Sequence, residues 1–162
     1  MEFLIVLAAA ALRVATPILL AALGEMLAER AGVLNLGIEG TMLLAAFVGF
    51  VAAHQSGSLW VGLAAAIATG ALMGTLMALL SVTLGLNQHV SGLGITLLGG
   101  GLALYFFRLL YGGASTPPSL GQSFGQLSVL PGTTLAPLLS QYGLTYFALL
   151  LVPVLAFVLR RT

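Results

Sequence analysis

The chain contains no cysteine, no lysine and no aspartate. The missing cysteine rules out disulfides and thiolate metal sites. The missing lysine rules out the phosphate-binding loop G-x-x-x-x-G-K-[ST], so the chain is not itself an ATPase. With no aspartate, and with His54 and His89 in separate polar breaks, there is no cluster of acid, base and nucleophile for an intramembrane enzyme. We therefore expect no catalytic residues, no metal and no cofactor. Charge of either sign is scarce: charged residues are 6% of the chain, against about 25% in a soluble domain. A net charge of +1 offers no basic patch for nucleic acid.

What is abundant is apolar surface. Hydrophobic residues make up 60% of the 162 residues, and the mean hydropathy is +1.15. No Asp, Glu, Lys or Arg occurs from Gly40 to Phe107, nor from Leu109 to Leu159. A membrane-spanning helix needs about 20 apolar residues, so these stretches hold several spans. The runs are continuous and not alternating, which argues against a β-barrel. The class is all-α, a polytopic membrane protein whose surroundings are lipid. The start, MEFLIVLAAAAL, is acidic where a signal peptide is basic, and more apolar segments come after it.

Five spans are expected. In the first apolar segment Arg13 and Pro17 interrupt, so Phe3 to Ala11 reads as an interfacial or entry turn and Leu12 to Glu29 as the span. The others run about Thr41 to Ala53, Trp60 to Leu84, Leu93 to Leu110 and Leu144 to Leu159. In the third, Gly62, Ala66, Gly70, Gly74 and Ala78 recur every fourth residue. That pattern predicts a close-contact face carrying Gly62, Gly70 and Gly74, used within the chain or for dimerisation. Gly99-Gly100-Gly101 in the fourth span predicts tight backbone packing or a bend. Residues Gly112 to Tyr142, rich in Gly, Pro, Ser, Thr and Gln, read as an ordered loop with a short helix outside the membrane. An odd span count places the termini on opposite sides. Arg160-Arg161 then puts the C-terminus in the cytoplasm, and the loop and N-terminus outside.

The rare charges are concentrated. Glu29, Arg30 and Glu39 lie within ERAGVLNLGIEGTMLLAAF (29–47), with Glu25 just before. The segment Leu34-Asn35-Leu36-Gly37-Ile38-Glu39-Gly40 reads L-N-x-x-I-x-G. It returns 52 residues later as L-N-x-x-V-x-G in Leu86-Asn87-Gln88-His89-Val90-Ser91-Gly92, by chance or as an internal repeat. Asn and Gly at membrane depth signal non-helical backbone, tolerated only where it is buried in protein or lines a watery path. Gly37 and Gly40 are read as permitting backbone shapes that a β-carbon would strain, and Asn35 as bonding backbone groups that the break frees. Glu25 and Glu29 with Arg30 fit headgroups or mutual pairing. Glu39 has two readings: path-lining or helix-capping at a helix start, or simple surface exposure.

ERAGVLNLGIEGTMLLAAF together with LNQHVSGLGITLLGGGLALY resembles the membrane permease subunit of bacterial ABC importers serving branched-chain amino acids, ribose-type sugars and nucleosides, most closely the nucleoside and simple-sugar branch. The resemblance implies a type II importer permease fold in the plasma membrane. It implies a second permease subunit, homo- or heterodimeric, ATPase subunits on the cytoplasmic side and a substrate-binding protein or lipoprotein outside. It assigns Asn35, Gly37, Glu39 and Gly40 to one broken-helix segment near the translocation path and Asn87, Gln88, Ser91 and Gly92 to the other. His89 departs from the family pattern, where an apolar residue is usual, leaving it on the path or at the cytoplasmic edge. Residues 1–162 form a single permease domain, and by resemblance family members run to about twice this length; the expectation is a partial chain, the N-terminal half, or a reduced protein. The alternative is a self-contained secondary transporter or channel. That would need acidic residues deep in a span for a coupling ion, and only Glu39 qualifies.

Overall fold

The structure, a computed structural model, describes residues 2–112, 118–121, 123–127 and 136–161. Its elements are α1 (Glu2–Arg30), α2 (Ile38–Ser56), α3 (Leu59–Ala78) continued by a π-helical turn (Leu79–Thr83), α4 (Gln88–Tyr111), β1 (Gln126–Leu127), α5 (Ala136–Leu139), β2 (Gln141–Tyr142) and α6 (Gly143–Arg161). Among the described residues five helices are long and apolar enough to cross a membrane: Phe3–Arg30, Ile38–Ser56, Leu59–Thr83, Gln88–Tyr111 and Gly143–Arg161. The polytopic all-α expectation holds, with five spans.

The first span differs from its expectation. Phe3 to Ala11 is not a separate interfacial or entry turn; it belongs to α1, which runs unbroken through Arg13 and Pro17. In lipid a broken helix would leave backbone groups with no water to bond, so the helix persists through the proline. Thr16 Oγ1 lies 2.8 Å from the Leu12 carbonyl.

The chain divides into two compact units. One comprises Met1–Met26 with Phe124–Thr162. Its contacts are polar and long-reaching. Thr16 and Thr145 hydroxyls lie 3.1 Å apart in a buried position, and Arg13 Nε donates to Gln141 Oε1 at 3.2 Å. The Arg13 guanidinium also sits 5.8 Å from the Tyr142 ring centre, which anchors a charge in the first half of α1. β1 and β2 pair antiparallel, Gln126 opposite Tyr142 and Leu127 opposite Gln141. The expected loop helix is the four-residue α5; residues 113–117, 122 and 128–135 of that loop lie outside the described residues.

The other unit is Leu27–Ser123, in which α2 packs against both α3 and α4. Lipid tails are as apolar as leucine, so close backbone approach, more than hydrophobic burial, brings these helices together. Between α2 and α3 the approach is mutual. A β-carbon on Gly62 would lie 2.7 Å from the Gly49 carbonyl oxygen and 2.6 Å from Ala53 Cβ. A β-carbon on Gly49 would lie 3.0 Å from the Gly62 oxygen. Gly62 is thus on a close-contact face, but within this chain's described residues Gly70 and Gly74 do not continue it: a β-carbon at either would meet nothing within 4 Å. The reason is helical geometry. Each four-residue step advances about 40° on a helix of 3.6 residues per turn, so Gly74 stands about 120° from Gly62. The buried face follows mixed spacings instead and ends on Met73 and Met77, which pack with Ile95 of α4.

Candidate functional site

The two breaks begin with the same local chemistry. After α1 the chain turns at Gly32, whose φ of +83° lies in the left-handed region that glycine occupies without steric cost. Asn35 then folds back: its Oδ1 accepts from Gly37 N–H at 2.9 Å, and α2 starts at Ile38. In the second break Gly85 turns the chain with φ +62°, and Asn87 Oδ1 accepts from His89 N–H at 3.0 Å and Val90 N–H at 3.4 Å. Asn35 and Asn87 occupy matching positions of the repeated heptad and make the same bond, to the N–H two residues on. They differ in where the next helix starts. Asn87 is itself the N-cap of α4, whereas α2 waits two residues longer and takes Gly37 as its N-cap.

The breaks are interlocked. The Gln88 side-chain amide uses both ends on the first break, accepting from Leu34 N–H at 2.8 Å and donating to the Gly32 carbonyl at 3.1 Å. About two turns further along α4, Thr96 Oγ1 donates to the Leu36 carbonyl at 2.8 Å. These bonds pair backbone groups that the loss of helix set free.

Glycine provides the space. A β-carbon on Gly40 would lie 2.5 Å from Thr96 Cα and 2.6 Å from the Thr96 oxygen, and one on Gly99 would run into the Gly40 carbonyl. One on Gly92 would lie 2.8 Å from Leu36 N, and one on Gly37 would lie 2.6 Å from Ile95 Cγ2. The expectation that Gly37 and Gly40 serve unusual backbone shapes is therefore corrected. Gly37 has φ −82° and Gly40 is helical, conformations open to any residue. Both are needed because α4 leaves no room for a side chain. Of the three glycines 99–101, only Gly99 meets backbone; Gly101 faces open space.

The remaining site residues divide by exposure. Glu39 is exposed in the first turn of α2, where a carboxylate meets the positive end of the helix dipole. His89 is exposed in the first turn of α4. Ser91 is buried and, with Asn87, lines a cleft of about 440 Å³ walled by Leu76, Leu80, Leu86 and Leu98. A larger cleft of about 580 Å³ between α2 and α4 is lined by Phe47, Phe50, Phe107 and other apolar groups. Among the described residues its lining carries no polar side chain. Among the described residues no group of three or more His, Cys, Asp or Glu could hold a metal.

Sequence reasoning missed Thr96, Ile95 and the π-helical turn that carries α3 into the second break. That turn closes with Leu84 N–H to the Leu79 carbonyl at 2.9 Å and Leu86 N–H to the Leu80 carbonyl at 3.0 Å. π-Turns concentrate at functional sites, yet LLSVT carries no signal for one. Thr96 had a faint signal: it stands eight residues after Gln88, on the same side of an ideal helix to within about 80°.

Comparison with known proteins gives these features a setting. The family described as branched-chain amino acid transport system / permease component matches residues 7–162. The guanosine ABC transporter permease protein of Bacillus subtilis is 32% identical over 165 residues, covering 97% of this chain and 51% of its own. A Haloferax volcanii protein that carries the name of a glucose ABC transporter permease is 42% identical over 106 residues, covering 65% of this chain and 32% of its own. The chain thus spans about a third to a half of the length of these relatives. No solved structure matches it significantly.

Proposed function

This chain belongs to the permease-component family of branched-chain amino acid transport systems, and from that premise we propose that it is part of the transmembrane subunit of an ABC importer carrying a nucleoside or simple sugar. A branched-chain amino acid ranks below these, because the two relatives above are named for a sugar and a nucleoside. In this reading the 162 residues belong to one permease domain in the plasma membrane. A separate ATPase pair supplies the energy, a second permease copy or homologue completes the channel, and an external binding protein or lipoprotein delivers the solute. The N-terminus and the 112–142 loop face outward, and the two breaks face the cytoplasm.

The observation that supports the reading is the interlocked pair of breaks. Each joins the ends of two helices long enough to span, and the non-helical backbone of the first is fastened by side chains from the next break and the helix it opens. Asn35, Asn87 and Gln88 serve the path by holding its backbone. Glu39 and Ser91 remain as the polar groups that a solute meets, and Glu39 supplies an acceptor for hydroxyl or N–H donors.

Two experiments test this. Affinity purification from the native host in mild detergent is expected to bring down an ATPase carrying a Walker motif, together with an external binding protein. In proteoliposomes of that complex, labelled nucleoside or sugar should accumulate with ATP, and branched-chain amino acids should compete weakly. Purification without any ATPase would contradict the reading. For orientation, single cysteines replace Ser123 and His89 in this cysteine-free chain. An impermeant maleimide should label position 123 and not 89 in intact cells; the reverse pattern would invert the topology.

A further inference from the structure

The chain on both sides of Glu39 is held by one residue of α4. The hydroxyl of Thr96 bonds the Leu36 carbonyl, three residues before Glu39, at 2.8 Å. The backbone of Thr96 is the surface on which Gly40, one residue after Glu39, rests, with Thr96 Cα 2.5 Å from where a Gly40 β-carbon would stand. Gly99, one turn further along α4, closes on the Gly40 carbonyl from the same side. Beneath the N-cap, Ile95, 2% exposed, fills the space under Gly37. Gly37 has no side chain with which to cap α2, so the helix start has no capping side chain of its own. Asn35 bonds the Gly37 N–H from within the break, and from α4 the start is held by Thr96 and Ile95.

We propose that Thr96 is the positioning residue for Glu39: its hydroxyl fixes the last non-helical carbonyl before α2, and its backbone fixes the first turn of α2, so that the Glu39 carboxylate is presented from a fixed backbone. The proposal rests on the reading of Glu39 as the group that meets the solute. A threonine hydroxyl in a span commonly bonds its own helix four residues back, as Thr16, Thr69 and Thr75 do here. Thr96 instead gives its hydroxyl to a different segment 60 residues away, which is what a positioning role requires and a role confined to α4 does not. Serine would keep this bond. Valine, of the same shape, would leave the Leu36 carbonyl without it.

The test is hydrogen exchange read by mass spectrometry on the full-length permease in lipid nanodiscs. Thr96→Val is expected to speed amide exchange in a peptide covering 34–42 by about tenfold, the loss of one hydrogen bond. A peptide covering 44–56 should be unchanged, and Thr96→Ser should restore the native rate. In the assembled transporter Thr96→Val should raise KM for uptake by about the same factor with little change in maximal rate. Should Thr96→Val fail to assemble, Thr96→Ala against Thr96→Ser makes the same comparison. Unchanged exchange at 34–42 in the valine or alanine variant, or a serine variant that does not restore it, overturns the proposal. The two readings separate cleanly. Faster exchange rescued by serine, together with normal uptake by Glu39→Gln, would overturn the path reading and leave the clamp standing.

Discussion

The two breaks share a heptad pattern and an asparagine turn, yet one is held and the other holds. In the first, Asn35 gives its acceptor to Gly37, and the carbonyls of Gly32 and Leu36 and the N–H of Leu34 find partners on α4. In the second, Asn87 caps α4 directly, so the helix begins at once and its next residue, Gln88, is free to reach across. A difference of two residues in where the helix starts decides which break is the rigid post and which is the fastened strap. A repeated motif therefore does not imply repeated function. The later start of α2 leaves Glu39 in the first turn of a helix whose position another segment sets.

The comparison can be broken most severely at the glycines. Gly40→Val and Gly99→Val each force a side chain into backbone and should abolish folded, monodisperse protein, since overpacking a rigid contact costs about 1–3 kcal/mol or more. Gly101→Val, at a position where a β-carbon meets only open space, should fold normally. Equal yields from all three, measured by size-exclusion chromatography, would mean that α2 and α4 do not meet as described. The next effect is Gln88→Leu. It leaves a donor and an acceptor of the first break without partners and should lower stability by about 1–3 kcal/mol, seen as a fall in melting temperature in detergent. Asn87→Ala removes only a cap, which is typically about 1 kcal/mol. If Asn87→Ala proved the more damaging, the second break would depend on its cap more than the first depends on its strap. The smallest effect is expected on α3. Gly74→Ala should sit within about 0.5 kcal/mol of the parent, the range of substitutions that touch nothing, while Gly62→Ile should prevent folding. A strong loss from Gly74→Ala would reveal a partner on that face.

Much of this was legible in the sequence, for identifiable reasons. The scarcity of charge dictates lipid surroundings, and the lengths of the uncharged runs dictate five spans. Asn35 flanked by Gly32 and Gly37 dictates a turn, because a short polar side chain that bonds its own backbone competes with helix. What was not legible depends on which faces meet. A glycine shows that space is needed and not what fills it, so Gly62 and Gly74 look alike until α2 is in place. Pro17 looks like a break until the cost of unpaired backbone in lipid is counted. Thr96 looks like any threonine of an apolar helix until Leu36, 60 residues away, is beside it.

The central claim is that the first break is fastened in order to present Glu39 to a solute. It is tested most directly by ATP-driven uptake of labelled nucleoside or sugar in proteoliposomes of the assembled transporter, comparing Glu39→Ala with the parent at equal amounts of complex. The account predicts a loss of uptake of about tenfold or more, the equivalent of one strong hydrogen bond to the solute, with assembly and basal ATP hydrolysis retained. Parental uptake by Glu39→Ala would contradict it and make the break a purely structural joint.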